Sequence, residues 1–73
     1  MSAEEKYQSI LVSITKRLEQ IRKEKGYTQR HVAFNCDMEE QNYRRIEKGL
    51  TNPTLKSLVK ICEVLEIEIK DLF

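Results

Sequence analysis

The sequence predicts an all-α fold, a bundle of five helices with an extended first helix. Three observations predict it. Apolar residues recur every three or four positions along most of the chain, which is the period of one helix face. The period-two alternation that marks strands is weak throughout. The two glycines and the single proline fall between the periodic segments, where they end helices rather than interrupt them. With 73 residues, the chain is expected to form one small core. A domain of that size buries only roughly 60% of the surface its unfolded chain exposes, which leaves no room for a deep catalytic cleft.

The first helix is expected from about Glu4 to Lys25. Tyr7, Ile10, Leu11, Ile14, Leu18 and Ile21 draw its apolar stripe, and Gly26 stops it by accepting the left-handed conformation. Residues 1–17 read as an N-terminal extension of this helix and 18–73 as the functional domain. Thr28 suits the N-cap of a short second helix, about Gln29 to Cys36, with Val32, Ala33 and Cys36 turned inward. Asp37 marks a tight corner. A third helix is expected over about Glu40 to Lys48, ending at Gly49. After Asn52-Pro53, Thr54 caps a fourth helix, about Leu55 to Leu65, which would bury Leu55, Leu58, Ile61, Cys62 and Leu65. A short fifth covers about Glu68 to Leu72.

Composition sets limits on function. Thirteen basic and twelve acidic residues give a formal charge of +1, so any attraction to phosphate must come from local clustering. Cys36 and Cys62 are too few and too far apart for a disulfide framework or a zinc site, and both sit at apolar helical positions. They read as buried thiols in a reducing compartment. No apolar run approaches the ~18 residues of a membrane span, and the N-terminus shows no signal-peptide pattern, so a cytoplasmic location is expected. One histidine, no paired catalytic spacing and no phosphate-cradling glycine loop leave nothing that reads as an enzyme. No metal, cofactor or small-molecule ligand is indicated.

The second and third helices carry the functional signal. Two short helices joined by a tight corner form a helix-turn-helix frame. Ala33 is small enough for their close approach. Val32, Cys36, Met38, Tyr43 and Ile46 supply inner apolar faces, and Asp37 tolerates the left-handed corner better than most residues. On the third helix, Tyr43, Ile46 and Leu50 are expected on one side. Gln41, Arg44, Arg45 and Lys48 follow the i, i+3, i+4, i+7 pattern on the other. Arginine can pair with guanine, glutamine with adenine, and lysine with phosphate, so this stripe suits the DNA major groove. Surface helices often carry charge, and Glu39 and Glu40 put negative charge beside the stripe. They suit the positive end of the helix dipole, and Glu40 can also accept a hydrogen bond from cytosine.

These features have a family likeness. Ile21-Arg22-Lys23-Glu24-Lys25-Gly26-Tyr27-Thr28-Gln29, Val32-Ala33, Tyr43-Arg44-Arg45-Ile46-Glu47-Lys48-Gly49, Asn52-Pro53-Thr54-Leu55 and the close Leu65 to Phe73 together resemble the Cro/repressor-type, or Xre, helix-turn-helix family. The likeness runs from Leu18 to Phe73. It implies a lambda-repressor-like bundle whose third helix enters the major groove of double-stranded DNA. Glu40, Gln41 and Arg45 match the family's base-contacting positions, and Arg44, along the groove wall, is placed with them. Gln29 and Arg30 at the start of the second helix, Lys48, and Thr51 and Asn52 in the following loop are implied to meet the backbone. Arg22 and Glu47 are implied to form a salt bridge between the first and third helices. Several positions depart from the pattern. Asp37 and Glu66 stand where glycine is usual, Glu39 where a Ser or Thr N-cap is usual, and Arg30-His31 where an acidic pair is usual.

The function this implies is a transcriptional regulator that binds a palindromic operator as a homodimer. The expected interface is the apolar C-terminus, Ile67, Ile69, Leu72 and Phe73, with Tyr7, Ile10 and Leu11 packing over it. The length favours a compact controller- or antitoxin-type protein over a two-domain repressor. An alternative is a protein-interaction module of the same fold with weak or no DNA binding. The near-neutral charge, Glu39-Glu40 and an exposed Phe34 support it, and the basic stripe argues against it.

Overall fold

The computed structural model describes all residues from Met1 to Phe73. Four α-helices follow in order: α1 (Ala3–Glu24), α2 (Gln29–Asn35), α3 (Glu40–Glu47) and α4 (Leu55–Leu65). A single 3-10 turn, Ile69–Leu72, closes the chain. There is no strand. The expected fifth α-helix is therefore a 3-10 turn. The left-handed residue Glu66 ends α4, and the bonds that follow, Asp71 N–H to the Glu68 carbonyl and Phe73 N–H to the Lys70 carbonyl, span three residues rather than four.

Local chemistry accounts for the helix ends. Ser2 and Glu5 form a reciprocal capping box at the start of α1, each side chain accepting from the other's backbone N–H. Thr28 accepts from the His31 N–H at 3.0 Å, and Thr54 from that of Ser57 at 3.0 Å. Glu39 makes no side-chain cap, so α3 starts without this support. All four helices stop in the same way. A left-handed residue follows, and the next N–H bonds back across the last turn: Tyr27 to the Arg22 carbonyl, Met38 to Ala33, Leu50 to Arg45 and Ile67 to Cys62. The left-handed residues are Gly26, Asp37, Gly49 and Glu66.

The core is one cluster. Ile14, Leu18 and Ile21 of α1 meet Val32, Ala33 and Cys36 of the second helix and its end. Tyr43 and Ile46 of α3 and Leu58, Ile61, Cys62 and Leu65 of α4 complete it, with Leu72 plugging one end. Leu18, Ile61 and Leu65 are fully enclosed, and cutting any of them to alanine is expected to cost about 2–5 kcal/mol. Ala33 is buried between α2 and α3, where a larger side chain would force the two helices apart.

Four expectations about apolar residues change. Leu55 is exposed, because the first residue of α4 lies beyond the core edge. Leu50 is exposed too. It sits past the end of α3, where helical periodicity no longer sets its direction. Ile10 is largely exposed while its neighbour Leu11 is buried, so the α1 stripe is narrower than the sequence suggested. At the C-terminus, Leu72 is buried and Ile67 and Ile69 pack on the core while remaining partly exposed, and Phe73 is exposed. No helix is long and apolar enough to cross a membrane.

Candidate nucleic-acid interface

The orientation of α3 is fixed from beneath. Glu47 is buried on its inner flank and faces Arg22 of α1. The Arg22 Nε donates to Glu47 Oε2 at 2.6 Å and its Nη2 to Oε1 at 3.0 Å, a two-pronged ion pair. Arg22 Nη1 also donates to the Tyr27 carbonyl at 2.8 Å, which ties in the turn before α2. The Tyr43 hydroxyl, one turn back on α3, donates to Glu47, and Gln29 Nε2 donates to it at 3.1 Å. Burial opposes the charge on Glu47, yet these donors together hold its carboxyl below the usual carboxylate range. The Glu47 bond in turn raises the already high pKa of Arg22. Burial first, and the bond to Glu47 second, push the Tyr43 phenol far above its ordinary value, so it stays a donor.

The outer flank is charged and open. Gln41, Arg44, Arg45 and Lys48 are exposed and line one shallow hollow together with Leu50. Arg45 also lines a second hollow, shared with Asn42, Thr51 and Asn52. The third helix and the loop after it therefore form one surface. Arg44 is not free. Its Nη2 donates to Glu40 one turn earlier, and its Nε donates to Gln29 Oε1 at 3.2 Å. Arg30 is exposed on the first turn of α2, and Gln29 is half-buried between the two helices.

The structure thus brings Gln29, Glu40, Arg44 and Glu47 into one hydrogen-bonded chain. It sets Gln41, Arg45 and Lys48 beside that chain, with Thr51 and Asn52 across from Arg45. Two further contributors come into view only with the fold. Asn42 shares the second hollow but falls off the i, i+3, i+4 stripe. Apolar periodicity places Tyr43 in the core, and its hydroxyl bonds to Glu47, a contact that their spacing of four allows. His31 lies on the surface, its ring tilted against that of Tyr27 with centroids 4.6 Å apart.

The exposed donors and acceptors of this surface are of the kinds that hold anions and base edges. Burial pushes the thiols of Cys36 and Cys62 upward, which keeps them protonated. No three His, Cys, Asp or Glu side chains converge as a metal site would need.

A family model for the helix-turn-helix matches residues 18–72. The chain belongs to the Xre family of helix-turn-helix, DNA-binding transcription regulators. Among solved structures, this Xre-family chain is similar to the restriction-modification controller protein C.AhdI from Aeromonas hydrophila. The two are 32% identical, with a TM-score of 0.83, and the match covers 86% of this chain and 96% of that one. No curated protein matches the chain.

Proposed function

We propose that this Xre-family protein is a controller-type regulator that binds a palindromic operator as a homodimer, with α3 in the major groove of each half-site. One observation carries the reading. The exposed stripe Gln41, Arg44, Arg45 and Lys48 stands on a helix whose opposite flank is locked by a buried ion pair. A base reader needs that rigidity, because discrimination depends on placing donors and acceptors against base edges. Glu40, Gln41, Arg44 and Arg45 read bases. Gln29, Arg30, Lys48, Thr51 and Asn52 hold the backbone. The likeness to a restriction-modification controller supports a compact regulator acting in the cytoplasm without enzymatic activity.

A single domain with a net charge of +1 has little general attraction to DNA, which favours two copies on one site. The C-terminal apolar residues are mostly taken by the core. The second copy instead covers the exposed Leu55 and Val59, four apart on α4. The expected operator is an inverted repeat with centres roughly 34–36 Å apart. Selection of sites from a random duplex library, followed by sedimentation of free and bound protein, tests this. Two protomers on an inverted repeat are expected. One protomer saturating a non-palindromic site overturns the dimer.

Phe34, exposed at the end of α2, favours a second reading in which the fold serves protein interaction. A gel-shift titration against genomic and random DNA separates the two, because an interaction module leaves both unshifted.

A further inference from the structure

Arg44 spans two partners whose chemistry fixes its role. Glu47 can only accept hydrogen bonds and Arg44 can only donate them. The amide of Gln29 lies between the two, so its nitrogen must face Glu47, at 3.1 Å, and its oxygen must face Arg44, at 3.2 Å. The amide orientation is thereby set by the buried pair, and Arg44 rests on a fixed acceptor. On its other side Arg44 pairs with the Glu40 carboxylate. Glu40 thus occupies an Arg44 donor that any other anion or acceptor would have to win, and both side chains are partly exposed on α3.

We propose that Glu40 is a specificity-determining residue that acts as an internal stand-in for DNA on Arg44. The proposal rests on the DNA-binding reading above. On a duplex that offers Arg44 only a phosphate, Arg44 must leave Glu40, and a bare carboxylate then faces the negative backbone. That duplex is penalised. On a duplex that also places a cytosine amino group opposite Glu40, the carboxylate gains a donor as Arg44 leaves, and the exchange is complete. Arg44 and Glu40 then read two neighbouring features as one unit. The pair suppresses general binding more than it suppresses binding to the right site, which suits a small domain that must ignore most of the DNA it meets.

The test is a double-mutant cycle on binding, using E40Q, R44Q and E40Q/R44Q, each first shown folded by thermal melting. The probes are a mixed-sequence duplex and the duplex recovered by library selection. On the mixed duplex E40Q is expected to bind roughly 3- to 10-fold tighter at low salt. Its slope of log affinity against log salt is expected to steepen by about 0.9, the signature of one further phosphate contact. In the R44Q background the same Glu40 change is expected to bring a clearly smaller gain, because only relief of the bare carboxylate's repulsion remains and no arginine is freed for a phosphate. The ratio of selected-site to mixed-duplex affinity is expected to fall in E40Q. An equal gain with and without Arg44 overturns the proposal, because Glu40 would then act only as a diffuse negative charge. No gain at all overturns it too. Failure of the unaltered protein to bind either duplex removes the DNA-binding reading and this inference with it. Binding without coupling removes this inference alone.

Discussion

Arg22 and Glu47 meet with side chains 9% and 1% exposed, whereas Arg44 and Glu40, on the opposite flank of the same helix, meet with side chains 48% and 39% exposed. The residue types are the same and the consequences differ. Away from water, Arg22 and Glu47 have lost most of their hydration and depend on each other and on Tyr43, Gln29 and the Tyr27 carbonyl. At the surface, water serves Arg44 and Glu40 nearly as well as they serve each other, so their pairing is exchangeable. Burial turns an arginine–glutamate contact into a fixture. Exposure leaves it available for trade with a ligand.

The largest effect should come from breaking the buried pair. Arg22→Ala or Glu47→Ala is expected to cost about 3–5 kcal/mol in chemical denaturation, since each leaves a buried charge alone. Replacing both by apolar residues of similar volume should cost far less. The same carboxylate carries a pH dependence. Glu47 has its folded-state pKa lowered, so its contribution is fully present above the unfolded value of roughly 4.3. It is lost as pH falls through the lower folded value. A pH series of melts should show this acid-side loss in the native protein and its absence in Glu47→Gln.

Next in size are the effects on binding. Arg45→Ala and Gln41→Ala should weaken binding to the selected operator by about 1–3 kcal/mol more than binding to random duplex. Lys48→Ala, which removes an exposed charge outside the Gln29–Arg44 network, should weaken both about equally, as expected of a phosphate contact. Competition gel shifts measure the two ratios, and equal losses for Arg45→Ala would remove it from the base readers.

A smaller effect concerns the left-handed helix ends. Glu66 adopts φ 58° and Asp37 φ 56°, conformations that cost a side chain far more than they cost glycine. Glu66→Gly is expected to raise stability by about 1 kcal/mol, and Asp37→Gly by less, because aspartate visits this region more readily. Thermal melts will rank them.

The smallest effect should be that of Glu40→Gln on folding, within about 0.5 kcal/mol, since exposed pairs four apart contribute little. A loss as large as that from Glu47→Ala would show that the two pairs are not the opposites their burial indicates.

Much of the fold was legible in the chain. Thr28 and Thr54 announced helix starts, Gly26 and Gly49 announced helix stops, and the 3–4 spacing of Ile14, Leu18 and Ile21 marked the buried face. These are local effects, set by backbone bonding within a few residues, and they survive any tertiary arrangement. Leu50 and Leu55 misled because hydrophobicity states a preference for burial but not whether the core reaches that far. The C-terminal Ile67, Ile69 and Leu72 could be spent on the core or on a partner, and only the packing shows that the core takes them.

The candidate interface divides along the same line. The stripe Gln41, Arg44, Arg45 and Lys48 follows from helical period alone, so the sequence determined which residues share that face. It also determined the helix-turn-helix frame, through Ala33, Asp37 and the two short periodic segments. Tertiary structure decided what holds the face still and which of its charges are engaged. Gln29 lies 18 residues from Glu47 and 15 from Arg44, and Arg22 lies 25 from Glu47. Spacings that long carry no angular information along a helix. They become contacts only when burial of the shared core brings α1, α2 and α3 together and leaves Glu47 in need of every donor within reach.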